Sequence, residues 1–204
     1  MKSLVNNWKN PTLCREQLSL NLREISNQAH YPEHWIDFIQ LVNTFKPKTI
    51  LDIGCGCGAY YKLCAINFPA IKYTGIDYSE EAISLAQSTW KYDGFYVMDY
   101  KDLTEERVGS FDLLHLGALL DVLPNGDEAL QNIISLKPKA ILIGRMKQTK
   151  GQSHYTVYKA YDKVETYAFY HNEENFLDLC EKHGYAISNR SNNFYLEKTV
   201  EKNN

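Results

Sequence analysis

Asp52, Gly54, Gly56 and Gly58 alternate through "TILDIGCGCGAYY", residues 49–61, directly behind an apolar run. Glycines at that spacing leave the main chain bare, so a ligand can approach without meeting side chains. A helix beginning beyond them adds free N–H groups and the positive end of its dipole. Two ligand classes fit. As G-x-G-x-x-[GA], Gly54, Gly56 and Ala59 form a dinucleotide fingerprint. As D-x-G-x-G-x-G, the loop takes in Asp52 and all three glycines. Asp52 separates them, because a carboxylate there repels a pyrophosphate and suits a cationic amino-acid end. Asp77 follows in "YTGIDYSEEA", about 20 residues on, where an acid accepts hydrogen bonds from ribose hydroxyls. The expected ligand thus combines a ribose with positive charge, as S-adenosylmethionine does.

These residues need a scaffold of alternating strands and helices. Strands are expected at Thr49–Ile53, Lys72–Ile76, Phe95–Met98, Phe111–His115 and Ala140–Met146, and helices at Tyr60–Asn67, Glu80–Trp90, Leu103–Val108 and Gly126–Leu136. Ser79, Asp102 and Asn125 stand where helix caps belong, and Pro47 and Pro138 stop the helices before them. Upstream, Trp35, Phe38, Ile39, Val42 and Phe45 repeat at helical spacing behind Pro32, and a weaker amphipathic segment covers Leu13–Ile25. Residues 1–45 are read as a helical cover or lid on a domain spanning 46–204. Downstream, "NEENFLDLCEKHG" predicts a helix closed by Gly184. Tyr185–Ser188 and Asn193–Lys198 then lie too close together for a parallel crossover, so that pair must be antiparallel. The sum is a doubly wound, seven-stranded, mostly parallel α/β sheet with helices on both faces and an antiparallel C-terminal hairpin strand.

On these motifs the chain resembles the class I S-adenosylmethionine-dependent methyltransferases over roughly residues 46–200. The resemblance implies that Asp52, Gly54, Cys55, Gly56 and Gly58 wrap the methionine and ribose portion of the cofactor, and that Asp77, with Tyr78 beside it, holds the ribose. In "VMDY" it implies Asp99 at the adenine amino group, flanked by Met98 and Tyr100. "FDLLHLGALLDVLP" resembles the family's fourth-strand motif, placing His115 and Leu116 against the cofactor and facing the acceptor. The expected reaction is methyl transfer to an O, N or C nucleophile, releasing S-adenosylhomocysteine.

Transfer from a sulfonium demands alignment and exclusion of water, and a base only where the nucleophile must lose a proton. His115, at a strand's carboxyl end, is the candidate base; the alternative is a half-buried histidine bonded to backbone. Residues 147–170, "KQTKGQSHYTVYKAYDKVETYAFY", are expected to shape the acceptor site, with Tyr155, Tyr158, Tyr161, Tyr167 and Tyr170 as lining and His154 as a second base. The same segment also reads as an extra strand or hairpin carrying packed tyrosines. Tyr31 joins His154, Tyr155 and Tyr158 as a substrate-binding candidate, and Trp8 and His30 as cover. Arg145, Lys147 and Lys150 suit either an anionic acceptor or a solvated loop. Asp121 reads as a helix or turn cap before Pro124.

The bulk numbers fit one ordinary domain of 204 residues with 44% hydrophobic content. A net charge of −3, with only five scattered arginines among 22 basic residues, argues against nucleic acid as partner. No apolar run approaches the roughly 20 residues of a membrane span, and because "MKSLVNNWKN" is mostly polar no leader is expected. With five cysteines, a reducing, cytoplasmic setting is expected. Cys55 and Cys57 lack a second pair at zinc spacing, so no metal is expected. "HLGA" in place of the N-P-P-[YF] tetrapeptide removes the exocyclic-amine subclass, and the expected acceptor is a small metabolite, sugar or lipid-linked intermediate. A protein acceptor stays open, and oligomeric state is silent. The competing readings are a cofactor-binding subunit without turnover and an NAD-type oxidoreductase.

Overall fold

A computed structural model describes residues 4–199. Five parallel strands form the centre: β1 Thr49–Ile53, β2 Lys72–Asp77, β3 Phe95–Val97, β4 Leu113–Leu116 and β5 Ala140–Ile143. The hairpin of β9, Tyr185–Arg190, and β10, Asn193–Lys198, closes the sheet in the order β3-β2-β1-β4-β5-β10-β9. It is the last strand that pairs antiparallel with β5. The chain runs from β1 outward to β2 and β3, then returns to place β4 on the other flank of β1. That reversal opens a crevice at the carboxyl ends of β1 and β4, where ligands of open α/β sheets bind.

Both faces are covered, which is why the central strands read as continuous apolar runs. Side chains alternate across a strand. Leu51, Ile53, Leu114 and Leu116 face a core completed by Val108 of α5 (Glu105–Gly109), Leu130 and Ile133 of α6 (Gly126–Ser135) and Phe176 of α7 (Glu173–Lys182). Ile50, Tyr73 and Leu113 face Trp35 and Phe38 of α2 (Glu33–Phe45), Leu63 of α3 (Ala59–Asn67) and Ile83 of α4 (Glu80–Trp90).

Element boundaries differ from expectation where local hydrogen bonds take over. The fourth strand starts at Leu113 rather than Phe111, because Asp112 turns the chain by accepting from Lys48 N at 2.9 Å while its own amide donates to Thr49 Oγ1 at 2.8 Å. The fifth ends at Ile143 rather than Met146, since Arg145 takes a left-handed backbone with φ 61°. Thr104, not Asp102, caps α5.

Residues 147–170 resolve toward the extra-strand reading. β6 Lys147–Thr149, β7 His154–Ala160 and β8 Val164–Asn172 form a second sheet, ordered β6-β8-β7. Ahead of everything, a 3-10 turn over Leu4–Lys9 leads into α1, Pro11–Ser26, where Asn10 caps the Thr12 amide at 2.8 Å and Pro11 stands at the first position. No described helix is long and apolar enough to cross a membrane.

A two-chambered candidate site at the switch point

The glycine loop joins β1 to α3, and Gly54, Gly56 and Gly58 all take positive φ (74°, 53° and 79°), which side chains resist. The loop is drawn against β2 through the amides of Gly54 and Cys55, which both donate to the Ile76 carbonyl, at 2.8 and 3.0 Å. Asp77 ends β2 beside it. One carboxylate oxygen accepts from Gly56 N and the other from Ser79 N, each at 2.9 Å. Burial pushes the Asp77 carboxyl up to about 6, against the pull of those two amides.

Two cavities of about 330 Å³ each meet at this carboxylate, and both are lined by Val5, Gly54, Asp77, Tyr78, Leu119 and Leu123. That size suits small ligands. Met98, Asp99, Tyr100 and Lys101 line the second cavity, with Pro124 and Asn125 from the loop after β4. The first is walled by Gly56, Ala118 and Val122, by Trp8, Cys14 and Gln17 from the N-terminal segment, and by Arg145, Tyr158 and Tyr161. So Asp77 stands where the chambers join.

The N-terminal segment roofs both. Tyr78 donates its hydroxyl to the Val5 carbonyl, Trp8 Nε1 donates to Thr166 Oγ1 at 2.8 Å, and Asn7 Nδ2 to the Glu165 carbonyl at 2.8 Å. A Cβ on Gly56 would lie 2.8 Å from Gln17 Oε1, so α1 rests directly on the loop. A covering role was expected of this segment; Val5 and Gln17, which line the cavities, carry no motif that singles them out.

Several expected site residues lie elsewhere. β4 continues to Leu116, so His115 is not terminal, and its register partner in β1 is Asp52. Equal parity turns both side chains to the face under α2 and α3. There His115 Nδ1 meets Asp52 Oδ1 at 2.8 Å, Tyr73 donates to the other Asp52 oxygen, and Phe38 and Tyr60 enclose the imidazole. Asp52 and His115, each 1% exposed, line neither cavity. The structure therefore gives His115 a packed, side-chain-bonded position in place of the base position, and gives Asp52 a supporting position beneath the loop. Leu116 faces the opposite core, Cys55 turns its thiol toward Gly75, and Gly58 packs against Phe95 and Trp90. Burial raises the Cys14 and Cys55 thiols and takes Cys57 to about 12, so none is a ready nucleophile.

Of the acceptor candidates, Tyr158 lines the first cavity. His154 is exposed, stacks on Tyr170 and bonds the Gln152 carbonyl at 2.9 Å. Tyr155 is 52% exposed, edge-on to Tyr167. Tyr31 packs on Trp35 with its hydroxyl buried and without a partner among the described residues. Asp121 lies buried in a 3-10 turn over Leu120–Val122, bonded to Lys147 Nζ at 3.0 Å, with its other oxygen unpartnered among the described residues.

A family model described as a methyltransferase domain matches residues 27–189. Trans-aconitate 2-methyltransferase of Escherichia coli O139:H28 is 32% identical over 100 residues, a match spanning 48% of this chain and only 39% of that protein. Among solved structures, a S-adenosylmethionine-dependent methyltransferase from Methanosarcina mazei superposes with TM-score 0.60 at 19% identity, covering 79% of this chain and 98% of that one. The N-terminal domain of EvdMO1, with S-adenosylhomocysteine bound, gives 0.57 at 14% identity, covering 83% and 82%. At those identities the two structures speak to the fold, and the family model extends over most of the chain. The chain belongs to the class I S-adenosylmethionine-dependent methyltransferases.

Proposed function

We propose that this chain transfers the methyl group of S-adenosylmethionine to a small-molecule acceptor. The observation carrying this reading is the placement of Asp77: a buried carboxylate, steadied by two backbone amides, at the junction of two small chambers. Each oxygen keeps acceptor capacity beyond its amide bond, which suits a ribose diol. Asp99 with Met98 and Tyr100 would hold adenine in the second chamber, and Gly54, Gly56 and Gln17 the amino-acid end in the first. The positive φ at the glycines lets the main chain come close there. Bound so, the cofactor supplies an activated methyl carbon. The chain's part is to align an acceptor against it and to exclude water, which the roof of Val5, Trp8 and Gln17 favours.

A small acceptor fits the modest volume of the roofed first chamber, and trans-aconitate, the acceptor named for the relative, is itself small. The test is release of S-adenosylhomocysteine from labelled cofactor with pooled small metabolites, trans-aconitate among them, against a protein and an RNA pool. Label in the small-molecule fraction is expected; label only in protein or RNA would contradict the acceptor class.

A further inference from the structure

Of the residues lining the first cavity, Arg145 carries the only formal positive charge, and Asp77, already holding two amides, the only carboxylate. Arg145 makes no ion pair among the described residues. Its charge bears on groups from several neighbouring elements: Glu24 of α1, His34 of α2, Tyr60 of α3, Tyr158 of β7 and Tyr161 of the turn after it. The nearby carboxylates are accounted for. Glu24 stands beyond ion-pair distance, and Asp121 pairs with Lys147 through one oxygen while its other oxygen has no partner among the described residues.

The backbone of Arg145 is also unusual. Seven described non-glycine residues have positive φ. Lys46, Lys91 and Lys137 follow helix ends, while Tyr161, Asp162 and Ser191 sit in hairpin turns. Arg145 alone follows a central strand at the ligand edge. Its amide donates to Asn193 Oδ1 at 3.1 Å, and Asn193 is itself held by buried Asp37, Nδ2 to Oδ2 at 2.7 Å. A left-handed arginine, fixed by a buried relay and facing a cavity unpaired, is a conformation retained at a stability cost.

Beyond Asp77, which the cofactor's ribose would occupy, the cavity offers no base. Its lining holds no histidine, and the phenols of Tyr158 and Tyr161 are pushed up by burial, the latter to about 12, so they donate rather than accept protons. A nucleophile that arrives already deprotonated needs none.

We propose that the acceptor is a carboxylic acid, held by the guanidinium of Arg145 with the hydroxyls of Tyr158 and Tyr161, and methylated on a carboxylate oxygen. The inference rests on the methyltransferase reading of the same site. In the step, an oxygen lone pair forms the bond to the methyl carbon as the carbon–sulfur bond breaks, its electron pair returning to sulfur. Carboxylate and sulfonium charges cancel, and no proton moves. The product is a methyl ester.

The test uses the full chain saturated with S-adenosylhomocysteine and titrated calorimetrically with succinate and benzoate, with succinamide and benzamide as neutral counterparts. At least one acid should bind, and its amide at least about tenfold more weakly, the loss expected of one charge-assisted contact. Arg145→Gly removes the guanidinium and relieves the left-handed backbone. It should melt at or above the wild-type temperature, bind S-adenosylhomocysteine unchanged, and lose at least about tenfold in acid affinity. Labelled methyl transferred to the bound acid should be released by mild alkali. The proposal is overturned if neither acid binds, if amides bind as well, if the glycine variant keeps acid affinity, or if the label resists alkali. Loss of S-adenosylhomocysteine binding in Arg145→Gly would assign the guanidinium to the cofactor's own carboxylate, ending this proposal while sparing the parent reading. Failure of the wild type to bind S-adenosylhomocysteine would end both.

Discussion

Asp77 works through a conflict between burial, which favours its neutral form, and two amides that favour its charge. Ribose hydroxyls would add weight to the charged side, so binding and ionisation are linked. Affinity for S-adenosylhomocysteine should fall as pH drops below about 6, approaching tenfold per unit. For stability the sign reverses. The folded carboxyl binds a proton more readily than the unfolded one, so this group makes the free protein more stable as pH falls through about 6 toward the ordinary carboxylate range. Asp77→Asn turns a donor toward one amide and should cost affinity by roughly 30-fold or more, read by calorimetry. His115→Ala should behave differently. It leaves Asp52 short of a partner in a sealed site and opens a void, so thermal unfolding should show a loss of about 2–4 kcal/mol. Wild-type stability with slowed methyl transfer would contradict that placement. The position of Asp77, at a strand end against the glycine loop, was legible from its distance behind the glycines. His115 was misplaced because one extra strand residue, Leu116, moves the strand end past it, and parity then turns the ring into the core.

At the scale of elements, the roof is tied down by a few bonds across long sequence separations. Trp8 bonds Thr166 and lines the first cavity, so Trp8→Phe should loosen the cover without disturbing the sheet. About 1 kcal/mol lost from one hydrogen bond predicts a several-fold faster release of S-adenosylhomocysteine in stopped flow, with melting changed by only a few degrees. An unchanged release rate would mean that the segment packs there without gating. The N-terminal helices were legible because their apolar residues repeat at helical spacing. Which tyrosines of 147–170 face the cavity was not. β7 is exposed along six of its seven residues, so hydrophobic alternation gives no sign of its inner face. The turn decides it. Tyr161 and Asp162 both take positive φ, closed by the Lys163 amide on the Ala160 carbonyl at 3.0 Å, and this brings Tyr161 to the cavity while Tyr155 stays outside.

Over the whole molecule, Asp37 joins the layers. It accepts from Arg190 Nε at 2.6 Å and Asn193 Nδ2 at 2.7 Å, linking α2 to both strands of the closing hairpin and, through Asn193, to Arg145. Asp37→Ala should cost about 2–3 kcal/mol in denaturant unfolding, because a buried amide loses its partner. A neutral result would remove the relay. The strands themselves and the antiparallel ending followed from apolar runs and connection lengths, both properties of the chain itself. The Asp37 relay depends on groups more than 150 positions apart, which carry no local signature. The central claim is that the two chambers joined at Asp77 form one cofactor site. Calorimetric titration with S-adenosylhomocysteine, with NAD in parallel, tests it most directly. Binding of S-adenosylhomocysteine alone with one-to-one stoichiometry, weakened in Asp77→Asn, is the predicted result; NAD binding in its place, or full affinity in the Asp77 variant, would contradict it.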